Sequence, residues 1–354
     1  MHNGARIVSN GRRGGYVQRA YFARGGRTYV SRTYVVGGRA YVGVYRSYGY
    51  RGYCCYYGYA PAYYYGPAYY GWAYNPWAAP VAYGWGWGGA PWYGYYGAYY
   101  APYPVYPAAA FWIADYLIAA QLQAAYAAQA AAENGLLNPL GPDYPLVASL
   151  GPVPVPLPDN AKVMMSKEVK DQIADEVKEQ IAEDKDAAGK GSNAGGQASS
   201  DEPLPALDPR HKVFVVNNEI SVVADGDECS LSDGDVITRA SDTPDADKNV
   251  DVTVLASKPK DCAAGKQVAV ALDDLQEMYN HFHENVVNGM DELSKKQGSG
   301  GLPKAPDAGK TTGEVPAPPP DSSAAKALTD EQAAADQTES EVKQEAGSSG
   351  GGEQ

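Results

Sequence analysis

The stretch YCCYYGYAPAYYYGPAYYGWAYNPW, residues 53–77, holds tyrosine or tryptophan at about half of its positions, with no leucine, isoleucine, valine or charged residue. Ordinary cores are built largely from aliphatic side chains. Glycine or proline recurs every few residues up to position 107, which punctuates any long helix or strand. The expectation for 54–107 is a low-complexity segment that adheres through its rings without a deep core. Tyrosine suits that role, offering rigid contact area with a polar tip at low entropic cost.

The net charge of −13 over 354 residues hides a split. Residues 1–114 hold ten arginines, no lysine and no acid, and the remainder is −23. Halves of opposite sign attract one another or bind different partners. The first half suits an anionic surface: nucleic acid, acidic polysaccharide or lipid headgroups. Tyrosine is divided the same way, 26 of 30 preceding residue 107, and all six tryptophans lie between Trp72 and Trp112. The N-terminus has no apolar run of the signal-peptide kind, yet Met1 opens directly into patterned sequence. The expectation is that an upstream signal segment is missing.

Within residues 1–53, Gly-Gly recurs every 11 to 12 positions with β-branched residues, tyrosine and arginine between. Such spacing predicts short strands meeting at Gly25-Gly26 and Gly37-Gly38, because glycine accepts the positive φ of tight hairpins; disorder is the competing reading. Candidate interaction residues are Arg13, Arg24, Arg27, Arg39, Tyr29 and Tyr41 here, and Trp85, Trp87 and Trp92 further on. Residues 108–135 predict an alanine-rich helix ending at Gly135. Asp115, Gln121, Gln123 and Gln129 argue against a membrane span, because polar groups are costly in lipid; packing on the aromatic segment is expected. A proline-rich linker (136–165) precedes a charged amphipathic helix (166–187) capped by Ser166. Its stripe of Val169, Ile173, Val177 and Ile181 is suited to docking on a partner helix or on its own copy, or else belongs to a marginal solvated helix. A second linker (188–209), a small β-rich domain closed by a helix (210–296) and a disordered acidic tail (297–354) complete the chain.

In 210–296, KVFVV-NN-EISVVA reads as a hairpin, and three more β-rich runs follow. The closing helix is expected from Asp274, with a capping box to Glu277. Cys229 and Cys262 form a candidate disulfide that would imply an oxidising compartment. Inert buried thiols are the alternative. The adjacent Cys54 and Cys55 lack the geometry to pair easily with each other. His281 and His283, two apart on a helix, cannot clamp one ion. Glu277, His281 and Glu284 share a face and read as a solvated polar stripe. Residues 308–312, AGKTT, lack the first glycine of a phosphate loop. Nothing in the sequence calls for a cofactor, a metal or a catalytic site, and a non-enzymatic protein is expected.

Tyr83, Trp85 and Gly86 partly match the aromatic repeat of bacterial YXWGXW-type proteins, although position 88 is glycine where the pattern has tryptophan. The run Leu231 to Ile237, LSDGDVI, resembles the L-x-x-G-D-x-I turn of bacterial SH3-like domains. In architecture the chain resembles uncharacterised bacterial exported proteins that join a Tyr/Trp/Gly-rich region to an acidic C-terminal domain. The fold class expected is therefore a mostly disordered, low-complexity chain. It would carry an N-terminal Gly/Tyr-rich β-hairpin segment and a small α+β C-terminal domain, an SH3-like β-barrel plus closing helix. The expected role is a secreted or envelope-associated structural and adhesive protein that self-associates or binds an anionic surface or polysaccharide. The alternative rests on RGGYVQR, ARGGRTY and YRGY, which resemble RNA-binding Arg/Gly tracts.

Overall fold

Extended segments separated by Gly-Gly can fold back wherever glycine permits. In the computed structural model they form an antiparallel meander of β1 (Ala5–Ser9), β2 (Gly15–Arg24), β3 (Arg27–Val36), β4 (Arg39–Tyr50) and β5 (Tyr53–Tyr59), paired in chain order. Arg24 lies opposite Arg27 across the first long hairpin, where Gly26 takes a φ of 76°. The structure describes residues 5–9, 15–24, 26–36, 39–133, 164–190, 203–313, 315–331, 333–334 and 337.

The expectation of a mostly disordered chain is overturned: strands, helices and buried cores run through most of it. Most surprising for its composition is 54–107. After β5 the aromatic segment forms β6 (Tyr63–Tyr65), α1 (Pro67–Tyr74), a 3-10 turn (Trp87–Gly89) and α2 (Pro91–Tyr96). Proline at the first helical position starts both helices, where its missing N–H costs nothing. Rings replace aliphatic side chains as the filling. Trp87 stacks on Trp85 at 4.4 Å, Trp85 on Trp112 at 4.6 Å, and Trp112 on Tyr116 at 5.9 Å. Each such pair contributes about 0.5–1.5 kcal/mol beyond the area it buries.

Two long helices complete this aromatic core. Trp112 and Tyr116 belong to α3 (Ala109–Glu133), and the stripe Val169, Ile173, Val177 and Ile181 belongs to α4 (Lys167–Lys190). All four stripe residues are buried in the same core. Ser166 Oγ accepts from Val169 N at 3.4 Å at the start of α4. Among the described residues no helix is long and apolar enough to cross a membrane.

Asp115 shows why α3 carries an acid. It is fully buried, and its carboxylate accepts from Tyr103 N at 2.6 Å and Tyr106 OH at 2.7 Å. Tyr106 in turn accepts from Trp85 Nε1 at 2.6 Å, and Lys170 of α4 stands 4.0 Å from the other carboxylate oxygen. Burial raises the Asp115 carboxyl above its ordinary range and lowers Lys170 below its own.

The C-terminal part comprises β7 (Val213–Val215), β8 (Ile220–Ala224), β9 (Asp227–Leu231), β10 (Val236–Arg239), β11 (Asn249–Ala256), β12 (Gln267–Ala271) and α5 (Leu272–Lys296). One sheet runs β12-β11-β10-β7, and β8–β9 is a separate hairpin. Cys229 of β9 is disulfide-bonded to Cys262, with Cα atoms 5.2 Å apart. The start of α5 departs from the expected capping box: Ala271 is the N-cap and no side chain caps it. Its apolar face serves two cores. Leu275, Met278 and Tyr279 pack in the β-domain, whereas Phe282, Val286, Met290 and Leu293 pack with the tryptophans.

The expected disorder of the tail is also corrected over its described part. Strand β13 (Lys310–Thr312) pairs with β6, and the chain beyond it lies on the N-terminal sheet. Opposite charge and a proline-stiffened backbone make that docking favourable.

Candidate binding surfaces

Strand alternation gives the meander two faces, and both are met by acidic elements. On the side toward α5, Arg32 is 1% exposed and lies between the rings of Tyr16 and Tyr45, at 4.4 and 4.2 Å. Its guanidinium donates to both carboxylate oxygens of Glu277, at 2.7 and 2.9 Å, and its Nε donates to Gln18 at 3.0 Å. Planar forks of this kind match a carboxylate better than any lysine could. Tyr45 donates to Glu284, and the Tyr34 and Tyr45 hydroxyls are 2.9 Å apart. Burial pushes the Glu284 carboxyl up to about 7. A cavity of about 450 Å³ opens beside it, lined in part by Arg6, Tyr53, Asn217, Lys248 and His281.

A second cavity of about 760 Å³ lies where the sheet meets α4 and α5. His211 Nδ1 is 2.6 Å from Glu176, and Nε2 is 3.1 Å from Glu183. Burial alone would lower this histidine, but the two carboxylates outweigh it and raise it to about 9. His283 pairs with Asp184 at 2.9 Å, and Tyr279 OH donates to Glu183 at 3.3 Å. These ion pairs fasten α4 to the β-domain and α5. Among the described residues no group of three or more histidines, cysteines and acids is arranged to hold a metal.

The opposite face of the meander is covered by the tail. Val315 is buried with Tyr29 and Val44, and Ala324 with Ala5 and Val17. Tyr21 OH donates to the Pro316 carbonyl at 2.8 Å. Arg19 donates to Asp321 at 2.6 Å, and Asp321 N donates to Thr33 at 3.2 Å.

Placed in this frame, the residues singled out from sequence do not converge on one surface. Arg13 lies outside the described residues. Arg24 and Arg39 sit at strand ends, with side chains outside the described set. Arg27 is half-buried and lines the 760 Å³ cavity. Tyr29 is buried beneath Val315, whereas Tyr41 is 47% exposed. Trp85, Trp87 and Trp92 are buried, so their rings contact the chain itself. The stripe of α4 is buried, and Cys229 and Cys262 are bonded to each other. Cys55 is disulfide-bonded as well, and the Cys54 side chain lies outside the described residues.

Sequence reasoning passed over Arg32, Lys170 and His211, and took Asp115 only as an argument against a membrane span. Glu277, His281 and Glu284, read as a solvated stripe, in fact line the cavity against the sheet. The available signal was their i, i+4, i+7 spacing on one face, together with an arginine-rich sheet lacking acids of its own. Compared with known proteins, the chain matches no family model, no curated protein and no solved structure.

Proposed function

We propose that the protein is a non-enzymatic structural component of an extracytoplasmic compartment, envelope-associated or secreted, that self-associates and adheres. The observation carrying the compartment is the Cys229–Cys262 bridge, with no free cysteine among the described residues. Disulfides persist where the surroundings are oxidising. Self-association draws support from aromatic area left uncovered, at Phe22, Tyr41, Tyr53, Tyr74 and Tyr95, each 40–56% exposed. Those residues, rather than the buried tryptophans, are what a second copy or a polysaccharide would meet. Arg19 and Arg32 are engaged by Asp321 and Glu277, which weighs against an open basic surface for RNA.

Non-reducing against reducing peptide mapping of protein from its native host tests the compartment. A Cys229–Cys262 linked peptide is expected, and free thiols throughout would overturn it. Light scattering over a concentration series tests self-association: a mass that stays monomeric at every concentration would refute that part.

A further inference from the structure

The docked tail carries a pattern that occurs twice in the chain. Residues 313–321 read GEVPAPPPD and residues 151–159 read GPVPVPLPD, identical at six of nine positions in one register. The shared pattern is Gly-x-Val-Pro-x-Pro-x-Pro-Asp. Segment 151–159 lies outside the described residues, so the contacts are those of the tail copy.

Most shared positions touch the sheet or its neighbouring backbone. Gly313 N donates to the Ala62 carbonyl at 2.8 Å, and a Cβ at Gly313 would come within 2.2 Å of the Pro61 carbonyl oxygen. No other residue fits there. Val315 is buried, the Pro316 carbonyl accepts from Tyr21, and Asp321 meets Arg19 and Thr33. Val315, Pro318 and Asp321 are the covered positions, spaced by three, while 316, 317, 319 and 320 are exposed or bound only through backbone. Three residues per turn is the polyproline II repeat, and the alternating prolines preset it. The differences between the two copies fall elsewhere. Positions 317 and 319 are exposed, and 314 is outside the described residues. Every described position that contacts the sheet is kept in 151–159, and the two described positions that change, 317 and 319, are exposed.

We infer that this sheet face is a docking site for Gly-x-Val-Pro-x-Pro-x-Pro-Asp, and that segment 151–159 of a second copy of the chain is its other occupant. The proposal deepens the self-association reading and rests on it. Reach favours a second copy over the same chain. Glu183 and Asp184 of α4 share the 760 Å³ cavity with Arg46, so Lys167 begins about 24 Å further along the helix at 1.5 Å per residue. Arg19 lies on β2, two strands beyond β4, roughly another 10 Å. The connection from Asp159 to Lys167 spans at most about 27 Å. Those two legs come to about 26 Å at right angles and about 34 Å end to end, at or beyond that span, and a neighbouring chain carries no such limit.

The probe is a fluorescent peptide of residues 150–161, titrated by anisotropy against full-length protein. Val315→Asp with Asp321→Lys should free the site. Binding to that variant is expected, and binding to wild type should be about tenfold weaker or more, because the chain's own tail competes. Peptide carrying Asp159→Lys should lose binding, and adding Arg19→Glu to the variant should restore it for that peptide. Asp321→Lys alone should give the same ordering if the double variant misfolds. Equal binding of native and Asp159→Lys peptides would overturn the site. Light scattering then identifies the source: the freed variant should associate, and further Val153→Asp and Asp159→Lys changes should prevent it. A freed variant that binds peptide yet stays monomeric would overturn the second-copy occupant. Wild type that associates while no variant binds peptide would sink this site and leave self-association itself standing.

Discussion

The Arg32–Glu277 pair makes an asymmetric demand on stability that can be measured. Arg32 is 1% exposed and Glu277 is 35% exposed. Arginine stays protonated in proteins, so Glu277→Gln leaves a buried cation without its counter-charge. Breaking a buried pair in this way costs about 3–5 kcal/mol. Arg32→Met is milder, because the remaining carboxylate can turn to water and methionine still fills the space between Tyr16 and Tyr45. That change is expected to cost roughly 1–3 kcal/mol, mainly lost cation–π and hydrogen-bond energy. The double variant should therefore be more stable than Glu277→Gln alone. Urea unfolding of the four proteins, monitored by tryptophan fluorescence with m held constant, gives the cycle. The reasoning fails if Arg32→Met proves costlier than Glu277→Gln, or if the two changes simply add.

The disulfide closes 33 residues of sequence, and Cys229→Ser with Cys262→Ser should cost about 4 kcal/mol by the chain-entropy relation; denaturant midpoints in oxidised and reduced buffer check it. Asp235 and Glu284 are raised to about 7 by burial, and His211 is held at about 9. All three bind protons more tightly when folded. The stability from Asp235 and Glu284 is full only below about pH 4 and is lost as pH rises to about 7, whereas that from His211 is full below about 6.5, is lost as pH rises through about 9, and is worth about 3 kcal/mol. Melting temperature should accordingly fall between pH 6 and pH 9.5, and His211→Gln should flatten the upper limb; a rise across that interval would contradict the assignment. Gly289 lies where α5 crosses α3, and a Cβ there would come 2.9 Å from Ile113. Gly289→Ala should destabilise by about 1–3 kcal/mol despite better helix propensity, while Gly189→Ala in open space on α4 should be neutral or slightly stabilising. Thermal melts of the pair decide the sign.

Local pattern left its mark on the sequence, and long-range complementarity did not. The β2–β3 and β3–β4 turns fall at Gly-Gly pairs, where backbone permissiveness decides the point, but the hairpin expected at Asn217-Asn218 does not form, because β7 pairs with β10 and β8 with β9. The α4 stripe was readable as a docking face, yet its partner is α3 with the tryptophans of the same chain. The aromatic segment misled because a core was sought in aliphatic residues; a stack of rings fills volume equally well when glycine and proline let the chain turn between them. The tail misled in a similar way. Low hydrophobicity and many prolines usually mean disorder, but one residue in three facing an arginine-bearing sheet is enough to hold a polyproline II segment. Asp115 was visible in the sequence as an acid inside an apolar helix, but no local pattern pointed to its partners Tyr103 and Tyr106. The His211 and Arg32 clusters join residues far apart in sequence, and no window of pattern contains them.

The contact between Arg19 and Asp321 joins positions 302 residues apart. At a synthesis rate of about 5–20 residues per second, roughly 15–60 s pass between the appearance of the first partner and the second. For most of that interval the tyrosine-rich meander has neither α5 nor its tail to cover it, and α5 (Leu272–Lys296) is made before the tail. The covering of that sheet is therefore a late event in the life of each molecule, and a chaperone that bound nascent strands would have its longest opportunity here.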